Sequence, residues 1–408
     1  MDRRVLFASL ILFAGGATGV GVALFAFVGL DEGAAETEVV WETDPVAGDD
    51  GSGAVIATLD GDSVIVQSTV ADGERVVRAT TTGAGVAWRT PLSAIDSAYS
   101  TGAGDDPPAI SAFTSGTLGG DPVVAFTTER GALVVLDATD GTVRFALDAG
   151  TNGGIEPALG DLTGDGTNEL AAAGADGTVL VVDGNGEALF ETTLDEPIER
   201  RPLIVDADVL EDDTGGLAVA TASDGAYTVR LLDERGETRW TTTPAVTPLS
   251  WSAVDTRDGP ILALGGSTGN LETIEITDGS LRYEVGLQDL PVAVGDASPG
   301  QIHVGGAGSV WAVDLLDGEV AWKQQYGGQT RVNSPGVGDV TRDGTAAPVA
   351  VNRDGSVLVM SRTGEAVARG DVGAPVVYAG PLFADVTGDG RDEVIVVAED
   401  GRIIAVTG

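Results

Sequence analysis

Beyond its first thirty residues the chain alternates short apolar, β-rich stretches with breaks of Gly and Asp, the pattern of successive strands joined by tight turns. One unit recurs within that pattern. A strand-like stretch is followed by an acidic or polar residue, then a turn glycine, then an aromatic four residues after the glycine. It appears as Asp137, Gly141, Phe145; as Asp183, Gly186, Phe190; as Asp233, Gly236, Trp240; as Glu275, Gly279, Tyr283; and as Asp314, Gly318, Trp322. Gly364 with Ala368 is a degenerate copy, and Trp88 after Gly83 and Gly85 has an altered turn. The aromatics lie about 40–57 residues apart, which matches one four-stranded propeller blade each. In such a blade the aromatic is a hydrophobic wedge against the next blade.

The two ends of the chain complete each other. The sequence stops at Ile403, Ile404, Ala405, Val406, Thr407 and Gly408, on a turn glycine with no strand or aromatic after it. Glu38, Val39, Val40 and Trp41 have the missing content, and Trp41 falls fourth if joined after Gly408. The expectation is therefore all-β: an eight-bladed propeller over residues 38–408, closed by a composite blade. Its outer-strand positions are Trp41, Trp88, Phe145, Phe190, Trp240, Tyr283, Trp322 and Ala368. Closure of this kind removes the free sheet edges that template aggregation.

Ala312, Asp314, Gly318 and Trp322 stand at the spacing of the tryptophan-docking motif, and in this the chain resembles PQQ-type, quinoprotein-like propeller repeats. That resemblance covers roughly residues 38–408 and implies the propeller far more firmly than any activity. It raises one redox alternative, a PQQ-dependent dehydrogenase. Many such enzymes set a vicinal disulfide beside the quinone, and this chain has no cysteine. No cluster of Glu, Asn and Asp for a quinone-bound calcium stands outside the hairpin loops, so PQQ is not expected as a cofactor.

A second pattern overlies the blades. Asp161, Thr163, Asp165 and Glu169, and likewise Asp385, Thr387, Asp389 and Glu393, place oxygen side chains at loop positions 1, 3, 5 and 9, with glycine at position 6. Position 7, Thr167 or Arg391, can offer its backbone carbonyl, and hard oxygen donors at this spacing suit Ca²⁺. Because strand-like segments flank both loops, they resemble FG-GAP repeats, whose calcium loops join the first two strands of a blade. The resemblance implies structural calcium held by these ten residues. Asp339, Thr341 and Asp343 form a third, degenerate copy without its final carboxylate. Asp-Gly turns that need no ion are the alternative reading of all three loops.

Pro157, Pro202, Pro335 and Pro381 each precede an aspartate by four residues and open a blade. If the strand that follows is innermost, Glu156, Arg200, Arg201, Arg331 and Asn333 approach the central channel at one face. Scarce arginines there suit an anion, a carbohydrate or an acidic peptide. Pairing with local carboxylates such as Glu156, Glu199 or Asp206 is the competing reading.

Residues 5–30 are 26 residues without a charge, preceded by Arg3 and Arg4. As a helix they reach roughly 39 Å, enough to span a hydrocarbon core of about 30 Å. Residues 1–30 are read as a retained single-pass anchor, with a cleaved signal sequence as the alternative, and 31–37 as a tether. The arginines hold the N-terminus inside, so the propeller faces outward at the cell membrane. Composition then narrows the chemistry. There are 63 Asp and Glu against 22 Lys and Arg, a net charge of −41, with one histidine (His303) and one lysine (Lys323). Thiolate and multi-histidine metal sites are excluded, and nucleic acid is not an expected partner. With 43% hydrophobic residues the chain folds beneath an acidic coat, and in this it resembles proteins of extreme halophiles, haloarchaeal in character. No Gly-x-Ser-x-Gly, HExxH or Walker-type motif is present, and His303 has no recognisable catalytic partner. The reading is a non-enzymatic, membrane-anchored scaffold that binds a protein partner at the cell surface.

Overall fold

Strands whose two faces are both covered must be apolar at nearly every position. That condition holds for second strands such as Glu169–Ala173 and Glu393–Val397, which are buried throughout, whereas Asp62–Ala71 of blade one also buries Gln67, Ser68 and Thr69. Outer strands are covered on one side, and Ala188–Thr193 buries only Phe190. The computed structural model describes residues 34–45, 53–59, 61–71, 73–83, 85–96, 109–150, 155–210, 214–288, 292–326, 331–341, 344–377 and 380–408.

Eight antiparallel up-and-down sheets follow one another along the chain, as expected for eight blades. Blades one to seven comprise residues 54–91, 114–148, 158–193, 203–242, 248–286, 293–325 and 336–371. Blade eight joins residues 382–406 to 39–42. First strands are innermost: Ala158–Gly160 packs against the first strands of both neighbouring blades, Thr114–Leu118 and Leu203–Val205. One face of the ring therefore carries the hairpins between first and second strands, here the hairpin face. The opposite, connection face carries the crossings from blade to blade.

The recurrent aromatic explains how blades lock together. In every blade the pairing of the third and outer strands slips by one residue beside this position, a β-bulge that bends the outer strand. In blades one to six the ring then lies on the turn glycine of the next blade. A Cβ on Gly279 would stand 2.7 Å from the Trp240 ring, and one on Gly186 2.9 Å from Phe145. Both glycines also have φ near +75° to +80°, a conformation that disfavours side chains. The indole N–H completes the dock: Trp88, Trp240 and Trp322 donate to the carbonyls of Ala138, Ile276 and Arg362 at 2.8, 2.7 and 2.9 Å. The aspartate before the glycine closes the turn, as Asp183 does by accepting the N–H groups of Asn185 and Glu187, both at 2.8 Å.

The composite blade has the expected form. Val39–Glu42 pairs antiparallel with Ile403–Val406, Trp41 opposite Ala405. Trp41 packs among Ile65, Ala54 and Ile56 of blade one, and Arg402 reaches Glu42 at 3.0 Å. One boundary differs from expectation. The sheet begins inside the segment read as a tether, because Ala35–Glu36 adds a fifth, parallel strand to blade seven opposite Ala368 and Arg369. Ala368 is fully buried. The N-terminal segment thus stitches blade seven to blade eight. The anchor at residues 1–30 and the first residues of the tether lie outside the described residues. Among the described residues no helix is long and apolar enough to cross a membrane.

Candidate functional site

The two complete aspartate loops sit on the hairpin face, between first and second strands, where the FG-GAP resemblance places them. Their carboxylates are turned inward. Asp161 accepts the N–H groups of Gly164 and Gly166 at 2.7 and 2.9 Å, and Glu169 those of Leu162 and Thr163 at 2.8 and 3.1 Å. Asp385 accepts Gly388 and Gly390 at 2.6 and 2.8 Å, and Glu393 accepts Val386 and Thr387 at 2.9 and 3.2 Å. Asp165 takes both the N–H and the hydroxyl of Thr167, which hold its carboxyl below the usual range. Arg391 pairs with Asp389 through its side chain. Glu169 and Glu393 open their second strands almost wholly buried, and desolvation raises both carboxyls.

This donor set closes the loops on themselves. Among the described residues no group of three or more His, Cys, Asp or Glu side chains converges, and a calcium ion in either loop would draw also on the Thr163 or Thr387 hydroxyl and on backbone carbonyls. In the third copy Ala347 replaces the buried glutamate and Thr341 donates to the carbonyl of Thr345, while Asp343 lies outside the described residues. Glu169→Ala is expected to lower folding stability by about 2–4 kcal/mol, since two N–H donors lose their acceptor together, with Glu169→Gln milder. Chemical denaturation measures the difference. In calorimetry at fixed salt, calcium held by these loops is expected to raise the melting temperature above that in chelator; an unaltered melting temperature rejects the metal assignment.

The residues expected at the channel rim are on the connection face, but they do not form one cluster. Arg201 pairs with Glu156 across blades three and four at 3.0 Å. Arg200 donates to the carbonyls of Pro248 and Glu199 at 2.7 and 2.8 Å and to the Tyr227 hydroxyl at 3.1 Å, and Tyr227 in turn donates to Glu199 at 2.6 Å. Pairing with a local carboxylate, the competing reading, is what the structure shows for Arg201, while Arg200 is held by carbonyls and a phenol. Arg331 and Asn333 enter blade seven, half a ring away. Asn333 is 1% exposed and donates to the carbonyl of Val377 at 3.1 Å. His303 is fully buried on a middle strand, within 3.1 Å of Ser298 and beside the Trp322 ring; burial lowers its imidazole to about 4, so it stays neutral.

One opening is not revealed by the motifs. Between blades five and six, on the hairpin face, lies a cavity of about 820 Å³. Its origin is a missing loop. Strands Ala293–Ser298 and Gln301–Gly305 of blade six are joined by residues 299–300 alone, whereas the neighbouring blades carry 255–260 and 339–346 at the same place. On the floor, Asp296 occupies a bulge between Val294 and Ala297 and accepts the N–H of Val337 from blade seven at 3.1 Å. Asp255 lines the side. A motif search finds loops that are present; only aligning the blades against one another exposes a loop that is absent.

Comparison with known proteins follows the architecture. A family model described as outer membrane protein assembly factor BamB matches residues 156–292, from the approach to blade three through the end of blade five. Among solved structures, BamB from Moraxella catarrhalis superposes with a TM-score of 0.61 at 14% identity, covering 91% of this chain and all of that one. The C-terminal WD40 domain of Sif2 gives 0.66 at 10% identity over 92% and 99% of the two chains. BBS1N, solved in complex with ARL6DN, gives 0.55 at 17% identity over 73% and 92%. At these identities the likeness shows the propeller fold. No curated protein sequence matches the chain.

Proposed function

We propose that this chain is a non-enzymatic binding scaffold: a propeller held at the cell membrane by residues 1–30, facing outward, and engaging a protein partner through its hairpin face. The observation that carries this reading is the notch between blades five and six, an opening of about 820 Å³ lined by small and apolar residues together with Asp255, Asp296 and Arg257. A wide polar recess in a rigid ring suits the capture of a protruding protein segment. Two similarities lend support. The matching family model is described as an assembly factor, and the BBS1N propeller was solved with a protein partner. Propellers host many activities, so the site carries more weight here than the fold.

The test is site-specific photo-crosslinking on intact cells at native salt. A photoreactive residue at Asp255 or Leu316 is expected to give a discrete protein adduct, and one at Leu281, exposed on the outer edge of blade five, to give none. Equal labelling at both places removes the hairpin-face reading. Purified protein mixed with PQQ is expected to show no bound-quinone spectrum; a bound spectrum with dye reduction moves the chain to the redox class.

A further inference from the structure

We propose that the notch receives one basic side chain, arginine or lysine, carried by a protruding segment of the protein partner. This rests on the scaffold reading and specifies its contact. The recess combines two features that such a side chain needs together. Ala297, Pro299 and Leu316 offer apolar contact along its walls, suited to a methylene stem, and Asp296 and Asp255 supply negative charge within it. No other common side chain presents an apolar stem ending in a cation.

The charges around the notch leave that role open. Asp296 directs one oxygen to the Val337 N–H, and Arg201, whose field reaches it, is itself bound to Glu156 at 3.0 Å. Arg257 also lines the opening, but 80% of its side chain is exposed and its Nε lies 3.4 Å from Asp258, which offsets its charge. Asp296 opens to the cavity, yet its surroundings desolvate it enough to raise its carboxyl above the ordinary range. A cation brought beside it favours the charged form. An anionic ligand meets two aspartates and a chain of net charge −41, whereas a basic segment is drawn towards the same surface.

The experiment titrates the full chain, at constant potassium chloride, with capped Gly-Gly-X-Gly-Gly peptides in which X is arginine, lysine, citrulline or norleucine, read by ligand-observed NMR. Arginine and lysine peptides are expected to bind saturably, with citrulline and norleucine at least about tenfold weaker, the loss typical of removing one charged hydrogen-bond partner. Asp296→Asn keeps an oxygen for the Val337 N–H while removing the charge. It is expected to weaken the arginine peptide by a similar factor and to leave the melting temperature unchanged. Absence of arginine and lysine binding overturns the proposal, as does indifference to Asp296→Asn or equal binding of norleucine. Spermidine binding that depends on Asp296, with the peptides inert, assigns the notch to a free polyamine and also overturns it. Crosslinks at Asp255 with inert peptides leave the scaffold reading standing and remove this one; peptide binding without cellular crosslinks does the reverse.

Discussion

A chain that begins at Thr43 is expected not to close its ring. Without Val39–Glu42 the strand Ile403–Val406, buried at every position, becomes the open edge of blade eight. The space that Trp41 fills beside Ile56 and Ile65 is emptied with it. Both the ladder across the chain ends and the wedge between blades eight and one are lost in one step. The exposed, apolar edge then templates association. A chain that begins at Ala34 keeps both N-terminal strands and is expected to melt like the full chain. One that begins at Glu38 loses only the two-residue strand on blade seven and the bond from the Thr37 N–H to the Arg369 carbonyl at 2.8 Å, a cost of about 1–2 kcal/mol. Trp41→Ala is intermediate, at about 3 kcal/mol. Urea denaturation and light scattering across the four proteins check the order; a chain starting at Thr43 that unfolds cooperatively as a monomer contradicts it.

What was legible in the sequence follows from which features are local. Seven aromatics and Ala368 named the eight outer strands because most follow their own turn glycine at a spacing fixed by one turn, and that glycine receives the ring of the preceding blade. The composite blade was legible because one missing strand had one counterpart at the other end. The parallel strand Ala35–Glu36 was not, since two residues carry no periodicity and their pairing is set by Ala368, more than 330 residues away. The aspartate loops were found in the right place, but spacing alone does not say whether carboxylates face an ion or their own backbone. Asp161 and Glu169 accept backbone N–H groups, and each of their oxygens keeps a further lone pair for an ion. The rim arginines were likewise placed on the correct face, while their partners, such as Tyr227 from a third strand and Pro248 from the next blade, depend on packing between strands that no motif encodes.

The acid excess sets the last expectation: in 0.1 M salt at pH 7 the propeller unfolds, or melts far below its temperature in about 2–3 M potassium chloride, where the Debye length is near 3 Å or less. The arithmetic is simple. Pairing each of the 22 basic residues with one of the 63 acidic ones leaves 41 carboxylates without a counter-charge. Held on a closed ring they cannot move apart, so repulsion favours the expanded chain once screening is removed. The response to pH separates this from a general salting effect. Desolvation raises the carboxyls of Glu169, Asp206, Glu272, Asp296 and Glu393. A group raised on folding holds its proton more tightly when folded, so its contribution grows as pH falls towards the folded value and fades as pH rises. The turn aspartates Asp140, Asp165 and Asp278 are lowered by the hydroxyls of Thr142, Thr167 and Ser280. Their contribution is present above the unfolded value, about 4, and is lost as pH falls through the folded one. Low-salt stability is therefore expected to peak on the mildly acidic side, above the range where the turn aspartates protonate, and to fall towards neutrality. Circular dichroism melts over a grid of salt and pH measure it; a melting temperature at pH 7 that is independent of salt shows that the coat is neutral in its effect on folding.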